Sequence, residues 1–185
     1  MTEDLIKDAE HRMSRAVEVA KEDFQTLRTG RANPALIEHI EVNYHGTPLP
    51  LNQVAAISVP EPRQLLITPW DKQALGPIEK AISNSDIGLV PNNDGNGIRL
   101  NIPQLTEERR KDLIKQLHKK AEEHRVAVRN VRRDCNDKLK SREKAHEISE
   151  DDSKRAHDQT QKLTDKYIAE IDKLQANKEA DLMEV

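Results

Sequence analysis

Three stretches of this chain place apolar residues at alternating three- and four-residue steps, a spacing that suits helices hiding one narrow face each. Over residues 3–28 the seam is Leu5, Ala9, Met13, Ala16, Val17, Ala20, Phe24 and Leu27. Beyond residue 105 it is Ile114, Leu117, Ala121, His124, Val128, Val131 and Cys135, close to a heptad pattern. A third seam comprises Ala156, Leu163, Tyr167, Ile171 and Leu174. A lone amphipathic helix cannot bury its face, so the first helix needs partners, and the only comparable seams lie past residue 105. The sequence therefore predicts one elongated three-helix bundle built from residues 1–30 and 105–185. Thr106, followed by Glu107 and Glu108, and Ser149, followed by Glu150, Asp151 and Asp152, read as N-caps. Gly30 sits where a C-terminal cap belongs.

Residues 31–104 follow another rule. Ile40, Val42 and Tyr44 alternate with polar residues, and His45-Gly46 reads as a turn. Val54–Val59 and Gln64–Thr68 read as strands broken apart by Pro60-Glu61-Pro62. Asp71 is placed to cap a short helix over Ala74 to Ile82. Asn92-Asn93-Asp94-Gly95-Asn96-Gly97 is a strong turn signal between Leu89-Val90 and Ile98–Ile102. The fold class is α+β in two domains, a small β/α/β unit inserted into a helical bundle. The chain crosses between them twice, near Gly30 and Arg31 and near Pro103, Gln104 and Leu105. Those crossings make either a hinge or an ordinary tight domain junction.

Charge supplies the functional signal. The formal net charge is −3, yet residues 105–145 hold 14 Lys and Arg against 8 Asp and Glu, and residues 146–185 hold 6 against 11. Local fields rather than the total steer a polyanion. On an ideal helix Lys111, Lys115, His118, Arg125, Arg129, Arg132 and Arg133 share one stripe beside the seam, with Glu122 as its acidic interruption. Read functionally, this is a track for a phosphate backbone, since the planar guanidinium fork grips phosphate oxygens at two points. Read structurally, it is a solvated face paired with the acidic third helix. The continuity of the stripe favours the track. Arg109 and Arg110, with Arg28 and Arg31 on either side of Thr29-Gly30, add positive charge near the domain junction.

Aromatic residues make up 2% of the chain: Phe24, Tyr44, Trp70 and Tyr167. Few platforms remain for stacking bases, so structured RNA held by shape and backbone is the expected target, not DNA. Trp70 reads as a packing residue of the insert. Cys135 has no partner for a disulfide, the seven histidines are scattered, and no phosphate-cradling motif or metal-ligand set is present. A soluble, cytosolic, monomeric protein without catalytic residues, metal or cofactor is expected. A helical adaptor for an acidic protein is the alternative reading.

Several segments carry a family resemblance: Arg28-Thr29-Gly30-Arg31-Ala32-Asn33-Pro34-Ala35-Leu36, Pro69-Trp70-Asp71, Asn92-Asn93-Asp94-Gly95, Ile102-Pro103-Gln104-Leu105-Thr106-Glu107-Glu108-Arg109-Arg110 and Val128-Arg129-Asn130-Val131-Arg132-Arg133. In this order, end to end, the chain resembles the bacterial ribosome recycling factors. The resemblance implies an L-shaped protein with a flexible elbow. It also implies binding to the large ribosomal subunit through Arg28, Arg31, Arg129 and Arg132 on ribosomal RNA. Elongation factor G, with its GTP chemistry, is the implied partner in splitting the post-termination complex.

Overall fold

The computed structural model describes residues 1–184. It divides into two compact units, Met1–Leu27 with the segment from Glu108 onward, and Arg28–Glu107. The second unit takes in Gly30 and Leu105, which the sequence reading placed at the crossings.

The first unit is made of α1 (Glu3–Gln25), the long α4 (Glu107–Lys144) and α5 (Glu150–Met183). Its ion pairs fix the helix directions. Asp4 meets Arg142, Arg12 meets Asp134 and Asp23 meets Lys120, so α4 descends as α1 ascends. Met13, Ala20, Leu117, Ala121, Val128, Leu139 and Ile171 are buried along the shared axis. The seam of α5 differs from the apolar pattern expected. Leu163 and Leu174 are only half-buried, while Thr160 and Thr164 are fully buried. Their hydroxyls donate to the carbonyls of Ala156 and Thr160, at 2.9 and 2.8 Å, which removes the cost of burying them.

Caps settle the helix ends. The Ser149 hydroxyl accepts from the Asp152 amide at 3.1 Å. At the end of α4, His146 adopts φ +56°. The Glu147 amide donates to the Arg142 carbonyl and the His146 amide to that of Glu143, a Schellman closure with histidine where glycine is usual. Gly30, by contrast, does not cap α1, which ends at Gln25 with Thr26 as its C-cap.

The second unit holds a two-stranded hairpin, β1 (Glu41–Tyr44) and β2 (Thr47–Pro50), and a one-turn helix α2 (Leu51–Val54). It also holds β3 (Ala55–Glu61), β4 (Gln64–Pro69), α3 (Leu75–Ser83), β5 (Asn92–Asn93) and β6 (Ile98–Asn101). The last four strands form an antiparallel sheet in the order β3-β4-β6-β5. Leu65, Ile67, Ile98 and Leu100 face Ile78 and Ile82 of α3 in one buried core.

Three expectations for this unit are corrected. Pro60 does not end β3: the strand lies at the sheet edge and its register shifts between Ser58 and Glu61, where a residue lacking an amide proton is tolerated. Asn92 and Asn93, rather than Leu89 and Val90, form the strand before the turn, because it is they that pair with Arg99 and Ile98. Asp71 caps a 3-10 turn, Lys72–Ala74, leading into α3. The strand β2 was not legible, since Pro48 and Pro50 interrupt its alternation.

Candidate nucleic-acid interface

The stripe on α4 lies between the buried seam and solvent, and α5 flanks it. Its members divide by what they touch. Arg125 is the most enclosed, with a side chain 17% exposed. Its Nε donates to Asp172 at 2.7 Å, one terminal nitrogen donates to Glu122 at 3.1 Å, and the other donates to Gln175. Burial disfavours its charge, yet the bonds to Asp172 and Glu122 outweigh that and raise its pKa. A guanidinium held on three sides is a strut between α4 and α5.

Arg129 donates to Glu122 at 2.8 Å and keeps part of its fork in solvent. Arg132 donates to Gln161 at 3.3 Å, a neutral acceptor that leaves its charge uncompensated. Arg133, Lys111 and Lys115 are exposed, and His118 shares a 3.2 Å contact with Glu179. Glu122 is held below the usual carboxylate range by Arg129 first and Arg125 second, so it stays ionised. The stripe is therefore not uniform. Arg125 and His118 pair with α5, Arg132 reaches it through neutral Gln161 and keeps its charge uncompensated, and Arg133 is exposed.

The remaining candidates lie near the unit boundaries. Arg109 is exposed, and Arg110 is half-buried with an Nε that has no hydrogen-bond partner among the described residues. Arg31 is exposed and Arg28 half-buried, in the loop after α1. That loop is ordered by local bonds: Thr29 Oγ1 accepts from the Arg31 amide, Asn33 Oδ1 accepts from the Ala35 amide, and the Ala32 amide donates to Pro62. Gly30 has φ +77°, a left-handed conformation that favours glycine, whereas a Cβ there would make only ordinary contact with Leu105 Cγ at 3.4 Å. Pro103 and Gln104 are exposed, next to an Ile102 amide that donates to Arg63.

Sequence reasoning missed the acceptors behind the stripe. Glu122 was visible, three residues before Arg125 and seven before Arg129. Asp172, Gln175 and Gln161 were not, because their roles depend on how α5 registers against α4. Trp70 is a correction: it is 68% exposed, not packed, although Pro69 beside it is buried. Cys135 is buried, as expected of a packed residue, and burial raises its thiol pKa.

A family model described as ribosome recycling factor matches residues 20–183. The chain belongs to the ribosome recycling factor family. It is similar along its whole length to the ribosome-recycling factor of Carboxydothermus hydrogenoformans, at 55% identity with 100% of both chains covered. The corresponding figure for that of Syntrophomonas wolfei is 57%, again over 100% of both. Among solved structures, a ribosome recycling factor in solution matches with TM-score 0.82 and 49% identity, covering 100% of this chain and 98% of that one. Another match is the Thermus thermophilus ribosome recycling factor, described with Escherichia coli elongation factor G bound to a post-termination complex. It gives TM-score 0.69 and 47% identity, covering 100% of both chains. The bundle of long helices and the small sheet unit are the architecture this family shares.

Proposed function

We propose that this chain recycles ribosomes: it anchors on the RNA of the large subunit and, with elongation factor G and GTP, splits the post-termination complex into subunits. Family membership over essentially the whole chain carries the reading. The relative placed with elongation factor G on a post-termination complex supports the choice of partners.

The anchor proposed is Arg129, Arg132 and Arg133 of the stripe with Lys111, Arg109 and Arg110 on the same helix; Arg28 and Arg31, in the other unit, are proposed as further RNA contacts. Arginine forks meet phosphate oxygens in pairs, and the aromatic residues of the bundle, Phe24 and Tyr167, are buried, so recognition through shape and backbone is proposed. Arg125 contributes by holding α4 against α5. At 1.5 Å per residue the 38 residues of α4 make a rod roughly 57 Å long. Such a rod passes force along its axis. The small unit is proposed to swing about Gly30, Arg31, Pro103, Gln104 and Leu105. The GTP chemistry belongs to the partner, and the chain itself needs no catalytic residue, metal or cofactor. It acts as a monomer in the cytoplasm, where its substrate is.

A subunit-splitting assay tests the proposal. Post-termination complexes incubated with this protein, elongation factor G and GTP should dissociate, and omission of any one component should leave them intact. Complexes that stay whole with all three present would overturn it.

A further inference from the structure

The turn joining β5 to β6 contains an Asn96-Gly97 pair, the dipeptide in which a side-chain amide is most open to attack by the next backbone nitrogen. The structure requires that glycine. A Cβ at residue 97 would lie 2.9 Å from the Ile67 carbonyl oxygen, because β6 passes close to β4 there. A bulkier neighbour that would shield Asn96 is therefore excluded by packing. Asn96 itself is exposed, whereas Gly97 is buried.

The nitrogen that would attack is restrained. Asp94 Oδ1 accepts from the Asn96 amide and from the Gly97 amide, each at 2.9 Å. The Asp94 amide donates to the Gly97 carbonyl at 3.1 Å, and the Asn93 side chain accepts from the Gly95 amide at 2.8 Å. Arg99 stands 3.6 Å from the other carboxylate oxygen. We propose that Asn96 is a latent site of spontaneous deamidation and that the Asp94 carboxylate, by holding the Gly97 N–H, keeps it closed in the folded protein.

The chemistry is an acyl transfer without a cofactor. The Gly97 amide loses its proton, and its nitrogen attacks Asn96 Cγ. The new N–C bond closes a succinimide ring as the Cγ–Nδ2 bond breaks, and Nδ2 takes up from solvent a proton equivalent to the one the Gly97 amide gave to it and leaves as ammonia. Water then opens the ring at either carbonyl, leaving aspartate or isoaspartate. A carboxylate bonded to the Gly97 N–H opposes the first step twice. It favours the protonated amide, and its negative charge disfavours a neighbouring nitrogen anion. Those two backbone donors also hold Asp94 below the usual carboxylate range, so the restraint is in force at neutral pH. Once the turn opens, the restraint is gone. The isoaspartate product adds a methylene to the main chain between β5 and β6, which disfavours re-closure on Ile67.

The test is to incubate the full-length protein at mildly alkaline pH and follow residue 96 by peptide mapping with mass spectrometry and by enzymatic isoaspartate labelling. The comparators are D94A, D94S and a synthetic peptide of residues 91–100. The native chain should convert far more slowly than the peptide. D94A should convert roughly tenfold faster or more than the native chain, the scale of losing a hydrogen bond to a charged group. D94S, which retains an acceptor without charge, should fall between. Amide resonances of Ile98 and Leu100 report whether β6 stays paired in each variant. Equal rates in the native chain and the peptide, or a D94A variant with β6 intact and an unchanged rate, would overturn the proposal.

Discussion

Arg125 on α4 donates its Nε proton to Asp172 on α5 at 2.7 Å, and this bond separates the arginines of the stripe into two kinds. One kind holds the bundle together and the other faces outward. Replacing Arg125 by alanine should lower the thermal midpoint of the protein. With Asp172 more than half exposed, the cost should be about 1 kcal/mol rather than that of a fully buried pair. Arg133→Glu should leave the melting midpoint nearly unchanged but weaken pelleting with large subunits. With one phosphate contact fewer, it should also make the loss of binding on adding salt shallower. Thermal melts and salt-titrated sedimentation on both variants check the division. An Arg133→Glu protein that pellets normally at every salt concentration would remove the stripe as the anchor.

Acid should loosen the bundle in a defined window. The Arg142 hydrogen bond draws the Asp4 pKa down to about 2. Burial opposes ionisation of Asp23, but hydrogen bonds from Lys120 and His124 prevail and lower its pKa. Arg12 and then Lys138 lower that of Asp134. A carboxyl group whose folded pKa is depressed stabilises the fold above its unfolded value, near 3.9, and loses that contribution as pH falls through the folded value. Helical circular dichroism melts should therefore show midpoints falling between about pH 4 and pH 2. Asp4→Asn should start lower at pH 7 and fall less across that interval. A parallel decline in both proteins would show that Asp4 contributes nothing to it.

Gly97→Ala should damage the small unit specifically. Its Cβ would be forced to 2.9 Å from the Ile67 carbonyl oxygen, and backbone cannot rotate aside as a side chain can. Overpacking of this kind costs about 1–3 kcal/mol. Hydrogen exchange should speed up at Leu65, Ile67, Ile98 and Leu100 while amides of α4 and α5 keep their protection. Unchanged exchange in β4 and β6 would show that the strands separate without penalty.

Trp70 is the only tryptophan and lies largely in solvent, so it reports on the small unit alone. Its emission should be red-shifted in the native protein and strongly quenched by acrylamide. Unfolding should shift it little, although the bundle's circular dichroism changes greatly. A blue-shifted, poorly quenched native spectrum would return Trp70 to the packed position that its apolar ring suggested.

The helices were legible because their seams are long and repeat with the period of the helix itself. The boundary of β2, by contrast, was hidden by Pro48 and Pro50, and β5 by two asparagines of low strand propensity. Those strands exist because a neighbour pairs with them: Thr47–Pro50 against Glu41–Tyr44, and Asn92–Asn93 against Arg99 and Ile98. Pairing is a property of two segments, and propensity describes only one. The threonines buried in α5 were missed for a related reason. A hydroxyl reads as a solvent-facing residue until its own helix supplies a carbonyl four residues back.

The sequence by itself determined that three helices must share one core, that a small strand-rich unit interrupts them, and that α4 carries a line of positive charge. Periodicity and charge are written in single segments, so no knowledge of neighbours is needed to read them. Only the tertiary structure decided which arginines are struts and which face outward, that Trp70 stands in solvent, and that Asp94 holds the nitrogen beside Asn96. Each of those depends on distances of a few ångströms between residues far apart in the chain or turned toward each other by a bend. Hydrogen bonds and burial act only at that range.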